Sequence, residues 1–489
     1  MRILILIITL ISCNCIMKAQ VFTLVKTIEL ASQNSLESFR VKNMYRSDYW
    51  SYRTYKAERL PGLSLNMTPI SYNRQFVKRY DYEQNIDVFK DQSTINSYGS
   101  LSLSQNVDFT GGTIYIDSEL GYLRNFGATK LSQFSTVPVR IGYYQSLFGF
   151  NSFKWDRKIE PLKFEIAKRE LLVNMENISK MATQYFFSLA LAQRIFDIEL
   201  TSLKTSEQMY NIGLERQKIA SITKADLLTL KLDLVNAGNS LKEAESNLKK
   251  CRFEFATYLG IDTESEITVI VPGVPHLINV SYALAKEQAT INNPTLRDLQ
   301  RQLMISEMNL EKVKRDALFS AKLSASIGFN QVGGNLADAY NSPLRQDLVA
   351  VSLSVPLIDW GIRKGKINMA NNQLKATEIS VEQSKQEFFQ NIMLACDDLD
   401  MLMKQISSAS EAMDLSEMAY EDTKQRFVIG KVDVNALSLA QSRMTTAQKN
   451  YISILRSYWV GYFELRKLTL FDFENNMPLS VDFDIIHGL

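Results

Sequence analysis

The chain of 489 residues is poor in the side chains that most chemistry needs. It has two histidines, His276 and His487, and neither has a partner at a ligand or catalytic spacing, which argues against a zinc site or a histidine-based triad. Of its four cysteines, Cys13 and Cys15 fall in an N-terminal apolar segment. Cys251 and Cys396 lie in long helical patterns and read as small core residues rather than a disulfide. Only 10 prolines and 20 glycines leave little room for long disordered linkers. No glycine-rich phosphate loop precedes a helix, and Gly333-Gly334 reads as part of a strand-joining loop, so ATP-driven work by this chain is not expected. Charge of one sign is lacking too: a formal net charge of +2 argues against a nucleic-acid partner. With no reactive constellation, the expectation is a protein that is not an enzyme and has no cofactor and no metal.

Long apolar runs are also scarce. Arg2, the 9-residue run "ILILIITLI" and "MKAQ" read as a secretory signal peptide over residues 1–20, cleaved near Ala19 and too short to span a bilayer. "LISC" also fits a lipobox, which leaves lipidation at Cys13 as an alternative. No later stretch reaches 18 consecutive apolar residues. If the mature chain enters a membrane it must therefore do so as a β-barrel, because only helices and closed barrels satisfy every backbone group in lipid.

What is present is helical periodicity, written twice. Met175, Ile178, Ala182, Tyr185, Leu189, Ala192 and Phe196 alternate spacings of 3 and 4, a heptad seam. Phe388, Ile392, Ala395, Leu399, Leu402 and Ile406 repeat it 210 residues later with no gap. Two polar turns, "RQKIASITKADLLTLK" from Arg216 and "RFVIGKVDVNALSLAQ" from Arg426, keep the same offset. Each half thus reads as an antiparallel helical hairpin with a long first arm, which at ~1.5 Å per residue reaches roughly 90 Å, and a return arm near 35 residues. Strand patterns stand between the helices: "LSLNMT" from Leu63, "VRIGYYQSLFGF", "LSASIGFN" and "LVAVSLSVPL", with small polar residues alternating with apolar ones. The first half carries about 50 extra residues, "SLSLSQNVDF", Gly111-Gly112 and "TIYIDSELGYL", read as a further hairpin on a tight glycine turn. Four to six strands are too few to close a barrel, so their free edges would have to pair with other copies.

The predicted organisation is a short helix over 21–60 and barrel strands with the extra hairpin over 61–151. A helical hairpin follows over 152–260 and a linker or equatorial segment over 261–293. The second half repeats this as a short helix over 294–320, barrel strands over 321–360 and a helical hairpin over 361–470, with a tail over 471–489. The fold class is mainly α with a β-barrel end, built from two tandem repeats of strand hairpin plus long antiparallel helical hairpin and closed by oligomerisation.

That order, together with "VSLSVPLIDWGIRKGKINMANNQLKA" from Val351 and the two polar turns, resembles the TolC-like outer-membrane efflux proteins over almost the whole chain. "YYQSLFGFN" with "WDRKIEPLK" is similar to the variant of Bacteroidota relatives. The resemblance implies a homotrimer with a transmembrane β-barrel in the outer membrane and an α-helical tunnel through the periplasm. It implies a passive exit duct for efflux or type I secretion that works with a periplasmic adaptor and an inner-membrane transporter. The two turns would be the periplasmic tips, with Arg216, Ala220, Asp226, Arg426, Phe427, Ile429, Gly430 and Lys431 in docking and gating. The family pattern of a glycine with an aspartate six residues on is split here: Ala220 with Asp226 in the first tip, Gly430 with Ala436 in the second. Asp397, Asp398 and Asp400 read as a solvated helix face or, facing the tunnel, as an acidic belt. Tyrosines and phenylalanines near strand ends, Tyr72, Tyr80, Tyr98 and Tyr144 among them, fit ordinary packing or aromatic girdles equally. The contrasting expectation is a periplasmic coiled-coil scaffold with no channel.

Overall fold

The computed structural model describes residues 20–126, 130–219, 222–263, 266–275, 280–429, 431–481 and 483. In chain order its elements are β1 (Gln20–Phe22), α1 (Leu24–Asn34), α2 (Leu36–Ala57), β2 (Gly62–Asp81), β3 (Ile86–Val107), β4 (Gly112–Asn125), β5 (Leu131–Ser146), α3 (Ser152–Lys218) and α4 (Lys224–Leu259). There follow β6 (Ile267–Val269), α5 (Tyr282–Asn292), α6 (Pro294–Asp316), β7 (Ser320–Gly333), α7 (Leu336–Tyr340), β8 (Leu344–Ser354), α8 (Ile362–Val428), α9 (Val434–Thr469), β9 (Phe471–Asp472) and β10 (Met477–Pro478). The duplication holds to the residue. Shifted by 210, α3 superposes in numbering on α8 and α4 on α9. Among the described residues no helix is long and apolar enough to cross a membrane.

The chain divides into two compact units. The first comprises residues 47–166 and 297–384 and holds one antiparallel sheet in the order β2-β3-β4-β5-β7-β8. The extra hairpin of the first half is therefore part of the same sheet, and β2 and β8 are its two edges. As expected, Gly111, at φ +74, turns β3 into β4, and β2 is joined to β3 in a longer hairpin whose tip places Asn85 at φ 57. The outer half of that hairpin escaped a sequence reading because charges interrupt its alternation. Arg74 pairs with Asp91 at 3.0 Å and Lys78 with Asp87 at 2.6 Å across the two strands.

The two faces of the sheet differ in kind. One cross-strand row runs Leu63, Leu103, Ile116, Ile141, Ile327. All five are exposed in the protomer, by 37 to 67%. The adjacent row, on the opposite face because side chains alternate, runs Ser64, Ser102, Asp117, Arg140, Gly328, Gln346. There Arg140 binds Asp117 through Nε at 3.1 Å and also reaches Glu119 at 2.5 Å. The passage from β8 into α8 is held by Asp359 and Arg363. Asp359 accepts from the Gly361 and Arg363 amides at 3.2 Å and from Arg363 Nε at 2.5 Å. The guanidinium also donates to the carbonyls of Ala317 and Pro356 at 3.3 Å. Gly361, at φ +86, supplies the left-handed step that this turn requires.

The second unit comprises residues 1–46, 167–296 and 385–489. Ile178, Ala182, Leu189 and Ala192 of one seam and Phe388, Ile392, Leu399 and Ile406 of the other are buried. Phe22 of β1, paired in parallel with β6, packs edge-to-face on Phe255 with centroids 5.5 Å apart. Both return helices end in a left-handed residue at equivalent positions, Gly260 (φ 66) and Leu470 (φ 48). A Cβ on Gly260 would come within 2.9 Å of the Asn34 carbonyl, whereas Leu470 has room to be buried. Burial of that leucine offsets a backbone conformation that L-residues disfavour.

Three expectations need correction. The short helix expected over 21–60 is two helices, because Ser35 is extended (φ -66, ψ 145) and its hydroxyl accepts from the Ser38 amide at 3.1 Å, capping α2. The linker over 261–293 contains a helix of its own, α5, which Asn293 separates from α6. Asn293 accepts from the Thr295 amide at 2.8 Å and donates to the Leu468 carbonyl at 2.7 Å. The tail begins with the small β9–β10 hairpin, in which Asp472 binds Arg466 at 3.2 Å.

Candidate functional site at the helical tips

The two tips lie together in the second unit and pack on each other. Met209, Leu230, Tyr420, Phe427 and Leu437 form one buried cluster, with Tyr210, Ile222, Val432, Ala440 and Met444 against it. Several of these are repeat equivalents at the 210 offset: Tyr210 and Tyr420, Ile222 and Val432, Leu230 and Ala440. Phe427 breaks the pattern, because its equivalent in the first tip is Gln217. It is only 3% exposed. The Arg216 guanidinium lies over its ring at 5.6 Å. Arg426, whose repeat partner position has no aromatic ring to offer, instead pairs with Asp422 at 3.0 Å on the exposed surface. This exchange of ring for amide is one difference between the two tips.

The expected acidic pattern has a local explanation. Thr223 and Asp226 form a capping box at the start of α4: the Asp226 amide donates to Thr223 Oγ1 at 3.1 Å, and Asp226 Oδ2 accepts from the Thr223 amide at 3.0 Å. The Thr223 hydroxyl also donates to that carboxylate, at 2.7 Å, and these bonds hold its pKa below the ordinary range. In the second tip the carboxylate has moved to the cap itself. Asp433, the equivalent of Thr223, accepts from the Ala436 amide at 2.8 Å. So each return helix keeps one carboxylate at its N-terminal end, Asp226 in the first turn and Asp433 at the cap, where the helix dipole favours it. A reading that looked only for an aspartate six residues after a glycine passed over Asp433; the N-cap preference for Asp three residues before Ala436 is the signal that finds it. Asp226 and Asp433 line one cleft of about 370 Å³ together with Arg216 and Phe427.

Gly213, read in the sequence as an ordinary helix residue, is buried against this cleft, and a Cβ there would meet Leu230 Cδ1 at 2.6 Å. At the ends of the tips Ile219, Val428 and Ile429 are exposed, as is Lys431, whose amide donates to the Arg426 carbonyl at 2.9 Å. Ala220 and Gly430 lie outside the described residues, as do Cys13, His276 and His487. Asp397, Asp398 and Asp400 are all exposed on α8, away from its buried Cys396 and Leu399, and Asp400 pairs with Lys404 at 2.6 Å. Burial pushes the Cys396 thiol up to about 11. No cluster of histidine, cysteine or carboxylate side chains suited to a metal occurs among the described residues.

Sequence reading also passed over a buried ion network away from the tips. Arg466 of α9 donates through Nη2 to Glu176 of α3 at 3.2 Å, and its Nε lies 3.0 Å from the other Glu176 oxygen. Asp472 receives Arg466 on one oxygen and the Tyr462 hydroxyl, at 3.0 Å, on the other. Burial raises the Glu176 pKa, and Arg466 opposes that rise.

Residues 285–469 match the family of outer membrane efflux proteins. The fold is similar to that of several solved channels. The CmeC outer membrane channel of Campylobacter jejuni is 14% identical with a TM-score of 0.66, over 94% of this chain and 88% of that one. VceC of Vibrio cholerae is 14% identical at 0.62, over 91% and 95%. The open state of the MtrE channel of Neisseria gonorrhoeae is 15% identical at 0.58, over 91% and 88%. No functionally curated protein matches the sequence.

Proposed function

We propose that this chain is a TolC-like outer membrane efflux protein and serves as the passive exit duct of a tripartite efflux or type I secretion system. Three copies close one β-barrel in the outer membrane, and their helical hairpins line a tunnel in the periplasm. A periplasmic adaptor docks on the tips, where Ile219, Val428 and Ile429 leave apolar surface exposed beside Lys431. An inner-membrane transporter supplies the energy, since the chain has no nucleotide-binding loop of its own. The tips gate the tunnel by separating at the Phe427 contact.

One observation carries this reading: the sheet has a row of five exposed aliphatic side chains on one face and serines with a charged pair on the other. A water-soluble sheet has no use for such a face, whereas a barrel wall needs lipid-facing and lumen-facing residues to alternate. The test is a pair of arginine substitutions on adjacent β3–β4 rows. Ile116→Arg should abolish membrane-integrated oligomers, because a charge on the lipid face costs about 2–4 kcal/mol near the bilayer midplane. Ser102→Arg, on the opposite face, should assemble normally. Equal tolerance of both would favour a soluble scaffold and refute the barrel.

A further inference from the structure

We infer that each chain contributes six strands to the barrel, so that the assembled channel has eighteen; this rests on the reading above that three copies close one barrel. Four strands, β4, β5, β7 and β8, would suffice to connect the helices of both halves, and the β2–β3 hairpin could then have stood apart as an external loop. It does not: β3 pairs with β4 over the whole length of the latter, from Val107 with Gly112 to Thr94 with Asn125.

The hairpin also carries the same two-faced pattern as the rest of the sheet. Leu63, Leu65 and Met67 of β2 and Leu101 and Leu103 of β3 are exposed on the face of Ile116 and Ile141. Ser64, Ser100, Ser102 and Ser104 share the face of Asp117 and Arg140. A loop in water would gain nothing from extending that aliphatic row by two strands.

The edges fit one another. β2 leaves the helical end of its unit directly after α2, and β8 returns to that end directly before α8. A β8 edge laid beside the β2 edge of the next copy is thus antiparallel, as an even-numbered barrel requires. β8 has 11 residues, the length of a membrane-crossing strand. On β2 the stretch of comparable character ends at the irregularity between Thr68 and Ser71, which holds Pro69, a residue with no amide to donate. Beyond it come the charged pairs Arg74–Asp91 and Lys78–Asp87, suited to water. Lipid cannot satisfy the free backbone groups of either edge, so pairing between copies must. With strands ~4.8 Å apart and tilted by ~40°, eighteen strands give a backbone-to-backbone diameter of about 36 Å, against about 24 Å for twelve. The barrel is then not the narrow point of the duct, and restriction falls to the tips.

The test uses cysteine pairs in a variant lacking Cys251 and Cys396. Ser64→Cys is combined in turn with Ala350→Cys, Ser352→Cys and Ser354→Cys, which sample the registers available on the serine-rich face. Thr113→Cys, on β4, is combined with the same three. Light scattering in detergent gives the copy number independently. The expected result is a trimer in which a Ser64 pair forms oxidant-dependent covalent oligomers and no Thr113 pair does. Trimers linked through Thr113, or through neither strand, overturn the eighteen-strand barrel while leaving the channel reading in place. A monomer that needs no detergent overturns the channel reading itself. Projection images of the trimer supply a second measure: a ring about 1.5 times the diameter expected for twelve strands.

Discussion

Phe427→Ala is the perturbation that most sharply separates a held tip from a loose one. Phe427 is buried among Met209, Leu230, Tyr420 and Leu437, so its truncation removes the ring that joins the second tip to Arg216 of the first. Large-to-small substitution of a buried phenylalanine costs about 3–5 kcal/mol, and the lost cation–π contact about 0.5–1 kcal/mol more. The tip is the end of two long hairpins, so this loss falls on local opening and not on the sheet or on the rest of the helical unit. A loss of ~3 kcal/mol multiplies the open population by about 150. Hydrogen exchange around Met209, Leu230 and Leu437 should accelerate by at least two orders of magnitude, while β4 and β5 keep their protection. Bilayer recordings of the variant should show a larger or more often open conductance. Tip exchange within about threefold of the parent would refute the claim that Phe427 holds the tips together.

Further expectations follow from named contacts. Thr223→Ala removes the cap of α4 and should cost about 0.5–2 kcal/mol of local stability at the first tip, read as faster exchange of the Leu227 amide. Asp226 has its pKa lowered by Thr223, so its contribution is complete above the ordinary carboxylate range and is lost as pH falls through the lowered value. Leu227 protection should therefore decline on acidification in the parent and be insensitive to it in Asp226→Asn. Arg466→Met leaves Glu176 and Asp472 without their buried cation and should cost about 3–5 kcal/mol in unfolding. Because burial raises the Glu176 pKa, that cost should grow as pH rises through the raised value, whereas Glu176→Gln combined with Arg466→Met should abolish most of this pH dependence. Neutralising Asp397, Asp398 and Asp400 together should reduce the cation preference of single channels; an unchanged preference would remove the acidic belt from the tunnel lining.

Periodicity carried most of the fold. Two heptad seams and two turns at one offset fixed the helical hairpins, because long helices repeat their burial pattern many times over and errors at any one position do not matter. The strands were harder. Where serines alternate with leucines, as at 100–104, the sheet is visible in the sequence, but at 71–92 the charges of Arg74, Lys78, Asp87 and Asp91 interrupt the alternation. Ser35 and Asn293 show a second limit: a single capping side chain breaks a helix that propensity alone would have continued. At the tips, chemistry was legible in kind but not in partnership. Asp226 and Phe427 stood out by position, yet that one is occupied in capping and the other is a buried clamp depends on contacts between the two halves of the repeat. The Glu176–Arg466–Asp472 network, assembled from residues 290 and 296 positions apart, left no local trace.

The central claim is that copies of this chain enclose a water-filled path through a bilayer. Planar-bilayer recording from the detergent-purified oligomer tests it most directly. Long-lived conductance steps of uniform size, linear in voltage and widened in Phe427→Ala, are the predicted result. Oligomers that insert into the bilayer and yet pass no current would contradict it.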